Sequence, residues 1–382
     1  MITLRTVESS ADLSAFIDLP YRLYEEVPNW VPPFKRDVRT QLDRNLNPFF
    51  EHGEAEYFLA ERSGRVVGRI AAIVNHLHNE THRDRVGFFG FFECVADAEA
   101  AEALVSRAAE WLSERGMTAM RGPMSFSVNE ECGELVENFD EPPSLMMPYN
   151  RPYYAPLLNG VGLRPVKDLL AYRGGDRDAY VPAPERLARA AERLERRLGL
   201  TLRPADMKRF ASEVQKVRQI FNASWNDNWG FVPMTQAEIA HGAGEFKPII
   251  VPDLMPFAMQ EGREVAFALA LPNVNEVLIN NRSGALFPTA PKLVWSLKRG
   301  KIRSVRIFLL GVLPELRGKG VDALLYLWIW RRGARHGFTA GEAGWILEDN
   351  QPMNAGLVKM GFEPAKRYRV YEKSLGAPAR PS

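Results

Sequence analysis

The chain has 382 residues, 46% of them hydrophobic and 25% charged, with a formal net charge of +2. That length provides for two packed cores, and a near-neutral balance without a long basic block leaves no nucleic-acid footprint. No run approaches the roughly 18 apolar residues of a membrane span, and MITLRTVESS lacks the basic and apolar parts of a secretory signal, so cytoplasmic location is the default expectation.

Two cysteines, Cys94 and Cys132, cannot by themselves supply a four-ligand zinc site, and a disulfide between them is not expected in a reducing compartment. His76, His78 and His82 cluster as NHLHNETH without a paired acid motif and read as a polar strand end, so no metal is expected.

Self-comparison uncovers a long repeat. TLR at Thr3 to Arg5 recurs at Thr201 to Arg203, and GRVVGRIAAIVN from Gly64 recurs as GREVAFALALPN from Gly262, both 198 residues on. Gly162 and Leu163 match Gly361 and Phe362 at an interval of 199. Three matches in register read as two copies of one domain, residues 1–180 and 200–376, joined by a basic helical linker at 181–199. Strands and helices intermix in each copy, so the expected class is α/β with a mixed sheet.

The first copy opens with a strand, ITLRTV, and an amphipathic helix through Leu13, Phe16, Ile17 and Leu23. A proline-rich passage with VPNWVPPF and NPFF resists regular structure. The strands YFLAE and VGRIAAIVN follow, joined at Ser63 and Gly64, and then GFFGFFECV. After that last strand come Asp97 and Glu99, carboxylates that favour a helix start but repel a pyrophosphate. The strip from Ser125 to Tyr154 is long for a loop and carries Asn129, Glu130, Tyr149, Asn150, Tyr153 and Tyr154 beside Phe126, Met146 and Met147. It reads either as a substrate-binding loop or as a seal over a domain interface.

The second copy has a helix through Val214 to Ala223, then SWNDNWGFVPMT. There Trp225, Trp229 and Phe231 alternate with Asn222, Asn226, Asp227 and Asn228, which suits an acceptor pocket, or packs the core. From Asn281 to Lys301 lies an insertion without counterpart in the first copy, either covering the cleft or connecting two strands. Next, SVRIFLLGVLPELRGKGVDALL spells a buried strand, a glycine loop and a helix start. Glycines allow close backbone approach, and the free N–H groups of a helix start, with Lys319 nearby, suit a phosphate. The helix residues Leu324, Leu325, Leu327, Trp328 and Trp330 form a broad apolar surface, read as core in preference to a channel for a long chain. WILED, Asn350, a helix ending at Gly361 and Phe362, and RYRVYEK complete the chain.

The loop resembles the pyrophosphate-binding Q/R-x-x-G-x-G/A of the GCN5-related N-acetyltransferase (GNAT) superfamily, with Arg317 and Gly320 in the first two places and Asp322 where a small residue is usual. Asn350, Gly361 and Phe362 keep the spacing of that superfamily's final motif, with Leu357 in place of its tyrosine. Taken whole, the chain resembles the YghO-like tandem-GNAT proteins, which include the bacterial ceramide synthases. The resemblance rests on VPPF, NPFF, VGRIAA, GFFGFFE, GPMSFSVNEECG, MPYNRPYY, SWNDNWGFVP, RGKGVD, WILEDN and YRVYEK.

That resemblance implies two tandem GNAT-like domains, the first degenerate for coenzyme A, and transfer of an acyl group from acetyl-CoA or a longer acyl-CoA to a primary amine such as a sphingoid base. It implies no metal, and a lipid acceptor implies at least transient contact with a membrane surface, without a span. The co-substrate would lie on Leu310, Gly311 and Val312, on Arg317, Gly318, Lys319, Gly320, Val321 and Asp322, and beside Asn350. Backbone N–H groups near Leu310 to Val312 would meet the oxyanion. An amine must lose a proton before it attacks. Glu342 and Glu348 share a strand face but stand about 20 Å apart, so only one can act. Glu348, beside Asn350, is favoured, with Glu130 as rival. Tyr368 or Tyr371 would replace the missing acid, and Asn129, Tyr149, Asn150, Tyr153, Tyr154, Trp225 and Trp229 would bind the acceptor. Acetyl transfer to a small soluble amine, and an acyl-CoA-binding module without turnover, are the two alternatives.

Overall fold

The computed structural model describes residues 1–226 and 228–376, so Asp227 of the tryptophan stretch lies outside the described residues. Two compact units are present. The first comprises Met1–Leu169, Leu278–Ala290 and the described part of Lys366–Ser382; the second comprises Leu170–Val277 and Pro291–Ala365.

In the first unit β1 (Thr3–Thr6) leads to α1 (Ser10–Leu23), which starts on a capping box between Ser9 and Asp12 and buries Phe16 and Ile17. The proline-rich passage holds only α2 (Lys35–Leu42) and one 3-10 turn. The hairpin of β2 (Gly53–Arg62) and β3 (Arg65–Asn75) turns at Ser63 and Gly64, both at positive φ (51° and 75°), as a tight hairpin turn needs. The histidine cluster, expected at a strand end, instead forms α3 (His76–His82), because the Asn75 side chain accepts from the His78 N–H and starts a helical turn. Then follow β4 (Val86–Cys94), α4 (Ala98–Glu114), β5 (Ala119–Gly122), the short strands β6 (Met124–Ser125), β7 (Glu131–Cys132) and β8 (Glu134–Glu137), α5 (Tyr154–Gly160) and β9 (Arg164–Gly175), whose residues from Leu170 onward belong to the second unit. Strands β1 to β4 pair antiparallel in order, and β4 pairs parallel with β5. One face of this sheet is covered by α4, whose Ala101, Leu104, Val105 and Leu112 are fully buried with Phe58, Ile70 and Phe89. Each such leucine or valine contributes about 1.5–3 kcal/mol.

The second unit contains α6 (Glu185–Leu198), β10 (Leu200–Arg203), α7 (Phe210–Trp225), α8 (Gln236–Phe246), β11 (Phe257–Gln260), β12 (Arg263–Pro272) and α9 (Asn275–Leu278). Next come α10 (Thr289–Lys298), β13 (Ser304–Val312), α11 (Val321–Arg335), β14 (Ala340–Leu347) and α12 (Gln351–Met360). Pairing again runs in order, antiparallel from β10 to β13 and parallel between β13 and β14.

The repeat is visible in strand register. The pair Thr3↔Glu61 recurs as Thr201↔Met259 and Ala60↔Gly68 as Ala258↔Ala266, each residue 198 further on, and the same β-bulge follows Ala60 and Ala258. At the next strand the interval grows to 218, since Gly68↔Cys94 becomes Ala266↔Val312, which locates 20 inserted residues between β12 and β13.

The last strand, β15 (Glu363–Ser374), was expected to close the second copy, yet its residues from Lys366 onward belong to the first unit. There Tyr371 pairs with Gly122 of β5, and Tyr368 with Leu135 of β8. Tyr368, Val370 and Tyr371 are fully buried, and Arg369 grips Asp168 through two hydrogen bonds of 2.7 and 2.8 Å while Arg367 adds one of 3.0 Å. Burial alone would raise the Asp168 carboxyl, but these bonds outweigh it and hold the group below its usual range.

Glu134 on β8 is 1% exposed, and burial pushes its carboxyl up to about 8 against the opposing Tyr371 hydroxyl and Arg369. The folded state therefore keeps a proton that the unfolded chain loses near its ordinary value of about 4.3. The associated stability is present below that value and is lost as pH rises towards about 8. Urea unfolding followed across this window should show stability falling by up to about 1.4 kcal/mol per pH unit, and Glu134→Gln should remove that component of the slope.

Candidate active site

The ladder between β13 and β14 stops early. Ser304↔Ala340 through Ile307↔Ala343 are paired, but Phe308–Val312 and Gly344–Leu347 run on without pairing to each other. The cause lies on the other edge of β13, where Leu269↔Leu309 is followed by Ala270↔Ile307, leaving Phe308 as an extra residue. Such a bulge bends its strand and increases its twist, here opening a V beside β14.

Polar groups exposed by the opening are met from the side. The Arg306 guanidinium, 4% exposed, donates to the Gly344 carbonyl from Nε (3.2 Å) and from its terminal nitrogen (2.9 Å). Trp225, at the end of α7, donates from Nε1 to the Leu310 carbonyl at 2.8 Å and meets Trp345 of β14 edge-on at 6.2 Å. Trp225 is thus both packed, being stacked on Phe221, and placed at the V; Trp229 lies half-buried in the turn that follows. Gly311 permits this approach, because a Cβ there would meet Ser224 Oγ and Phe267 at 2.8 Å.

Beyond Val312 a 3-10 turn, Pro314–Leu316, carries the chain to the glycine loop. Arg317 is tied back by a 2.6 Å hydrogen bond to the Ser224 carbonyl. Gly318 and Gly320 have φ of 69° and 87°, and Gly320 heads α11 with no side chain capping the helix start. Space around the Gly318 α-carbon is open, and Lys319 is exposed. Uncapped N–H groups, a positive dipole end and a lysine fit an anion, while Asp322 in the first turn opposes one.

Glu348 lies in the turn after β14 instead of on the strand, and its backbone carbonyl accepts from the Asn354 amide at 3.1 Å. Asn350 caps α12, its side chain accepting from the Met353 N–H at 3.3 Å. Leu357 is 1% exposed core, and Glu342 is buried opposite Arg306 in the strand register. Sequence reasoning missed Tyr326, because it falls within the apolar run of α11 and the pattern there is uniformly that of core. Its hydroxyl reaches the Met353 sulfur at 3.6 Å, and burial pushes it well above the usual phenol range, so it holds its proton. Tyr326 lines a cavity of about 50 Å³ with Ile307, Trp330, Ala340, Gly341 and Phe362, adjoining the last paired residue of the V. That volume has room for on the order of a few water-sized groups and not for a long chain.

The remaining expected residues sit in the first unit. Tyr154 donates to Glu93 Oε2 at 2.6 Å, as does Tyr24 at 2.9 Å, and burial raises the Glu93 carboxyl against the pull of Arg69 and these hydroxyls. Tyr153 donates to the Cys94 carbonyl and Tyr149 to that of Phe139, while the Asn150 side chain accepts from Leu135 N–H. Asn129 N–H is bound by Ser127 Oγ, and Glu130 accepts from Gln41. These groups brace the loop on its own unit. Tyr368 and Tyr371 are fully buried there and are not presented to a substrate.

The first unit also has a fork, its β4–β5 pairing ending at Phe88↔Arg121. There Phe126, fully buried, stacks on Phe49 at 4.9 Å and meets Phe91 at 5.1 Å. The start of α4 is capped by Asp97, whose carboxylate accepts from Glu99 and Ala100 N–H, and Arg62 pairs with both Asp97 and Glu99.

No protein-family model matches the chain. Among curated proteins it is 37% identical over 378 residues to Protein YghO of Escherichia coli (strain K12), covering 97% of this chain and 95% of that protein. It is 36% identical over 377 residues to Bacterial ceramide synthase of Caulobacter vibrioides (strain NA1000 / CB15N), covering 97% and 96%. The chain belongs to this YghO and bacterial ceramide synthase family. Among solved structures, a tandem GNAT protein from the clavulanic acid biosynthesis pathway matches with a TM-score of 0.58 at 14% identity, covering 100% of both chains. A GCN5-related N-acetyltransferase from Sphaerobacter thermophilus matches with a TM-score of 0.53 at 15% identity, covering 100% of this chain and 98% of that one. The fold of this family member is therefore the tandem GNAT fold.

Trp225→Phe keeps the ring but leaves the half-buried Leu310 carbonyl without its donor. Urea unfolding should register a loss of about 1 kcal/mol.

Proposed function

We propose that the chain is an acyl-CoA-dependent N-acyltransferase whose second unit binds the thioester and whose acceptor is a long-chain, sphingoid-type amine. The observation that carries the donor half is the V between β13 and β14 leading to an uncapped, glycine-lined helix start at Gly320. The acceptor half draws on the 36% identical relative named Bacterial ceramide synthase. In this reading the N–H groups of Gly318 to Asp322 and the Lys319 ammonium hold the diphosphate, and Leu310, Gly311 and Val312 line the pantetheine. The amine lone pair attacks the thioester carbonyl carbon, the C–N bond forms, and the oxyanion is met by backbone N–H near Leu310 to Val312. The C–S bond then breaks, and the thiolate takes a proton.

We assign removal of the amine proton to Glu348, held where Asn350 starts α12. Proton donation falls to Tyr326 instead of Tyr368 or Tyr371, because its protonated side chain lines the cavity that Ile307, the last paired residue before the V, also lines. The first unit is read as having lost coenzyme binding. Two features support this: Asp97 fills the helix start that a diphosphate would need, and Phe126 packs into the corresponding fork. Trp225 and Trp229 are the acceptor-side residues of the second unit, and the cytoplasm is the compartment in which both substrates would meet.

Calorimetry with coenzyme A and palmitoyl-CoA, and mass spectrometry with sphinganine as acceptor, test the proposal. Expected are heat with both coenzymes, an N-acyl product, and affinity weakened severalfold by Lys319→Ala. No heat with any coenzyme sinks the donor site; heat without product for sphinganine sinks the acceptor. Glu348→Gln should cut kcat by about a hundredfold or more with acyl-CoA affinity unchanged, as should Tyr326→Phe by a smaller factor.

A further inference from the structure

The 20 residues inserted between β12 and β13 have no place in the repeated core, yet they build an ordered helix, α10 (Thr289–Lys298). Its inner side carries Thr289 and Ser296, buried at 8% and 4%, beside the half-buried Leu293 and Leu297, while Val294 and Trp295 are turned outward at 50% and 51%. A soluble helix gains by burying its tryptophan and exposing its serine, so an outward tryptophan next to an outward valine calls for a partner.

The charge around these side chains says which partner. Between Glu276 and Glu315 the sequence has no acidic residue, in a protein whose total is nearly balanced. Lys292, Lys298, Arg299 and Lys301 are all exposed, and among the described residues none is paired with a carboxylate. The Arg299 guanidinium lies 5.9 Å from the Trp295 ring centre. Apolar side chains ringed by unpaired cations match an anionic lipid surface, where the ring enters the acyl boundary and the ammonium groups meet phosphates. A basic patch for nucleic acid would not require the outward valine and tryptophan, and a second copy of this chain would have to bring carboxylates to face these cations.

We propose that residues 292–301 form a docking surface for an anionic phospholipid bilayer, with Val294 and Trp295 inserting and Lys292, Lys298, Arg299 and Lys301 contacting headgroups. The surface stands on its own geometry and gives a lipid acceptor a source. Vesicle binding is measured without turnover, so this proposal and the acyltransferase reading can fail separately.

The full chain is floated with vesicles of phosphatidylcholine, alone or mixed with a minority of phosphatidylglycerol. Binding to the mixed vesicles, weakened by raised salt, is expected. The double variants Val294→Ser with Trp295→Ser, and Lys298→Glu with Arg299→Glu, should each weaken it at least about tenfold. Val358→Ser, at an exposed position on α12, should leave it unchanged. Circular dichroism checks that each variant is folded. Absence of flotation with either vesicle, undiminished binding in both double variants, or a loss of self-association in place of vesicle binding overturns the proposal.

Discussion

The interaction on which the second unit depends is one that is withheld: β13 and β14 pair from Ser304↔Ala340 to Ile307↔Ala343 and then stop. Parallel strands buried within a sheet ordinarily keep their ladder, because a buried carbonyl without a donor costs about 1–3 kcal/mol. Here that cost is offset locally. The Phe308 bulge turns β13 aside, Arg306 donates to Gly344, and Trp225 donates to Leu310. An opening flanked by main-chain groups, at the foot of an uncapped helix, is what remains. Rigid strand ends hold such an opening more precisely than loops could.

The first unit shows the same construction. Its β4 carries a comparable bulge, its register matching that of β13, and its β4–β5 ladder also ends early. Phe126 packs among Phe49, Phe50 and Phe91 at that fork, and Asp97 supplies to α4 the cap that α11 lacks. In this unit an aromatic ring lies at the fork and a carboxylate satisfies the helix start. Buried charge reinforces this unit: Glu93 is held by Tyr24, Tyr154 and Arg69, and Asp168 by two arginines of β15. In the second unit Glu213, 2% exposed, is held likewise by Arg203 and Lys216. Removing one partner from such clusters leaves an uncompensated buried charge, so they fix which chain segments come together.

The tyrosines show where pattern reading reaches its limit. Tyr149, Tyr153 and Tyr154 stood out in sequence because three phenols in a polar loop invite a substrate, but their hydroxyls are engaged with Phe139, Cys94 and Glu93. Tyr326 is indistinguishable in pattern from the leucines and tryptophans of α11, yet it lines a cavity with Ile307, the last paired residue before the fork. A hydroxyl's role follows from what lies within about 3 Å of it, and sequence spacing carries that only within a helix turn or a hairpin. Glu348 and Asn350 lie close because they are two residues apart; that Glu348 falls outside the strand depended on where β14 ended.

The sequence by itself determined the strand-loop-helix units, the repeat at 198 residues and the position of the inserted segment, because these follow from local periodicity, turn chemistry and self-similarity. Gly318 and Gly320 were legible for the same reason: only glycine tolerates those φ angles without strain. Only the tertiary structure decided that β15 from Lys366 onward completes the first unit, that the β13–β14 ladder stops at Ile307, and that Trp295 faces outward while Ser296 is buried. Each is set by partners remote in the chain, whose hydrogen bonds and packing outweigh local preference and leave no mark on the spacing of the residues themselves.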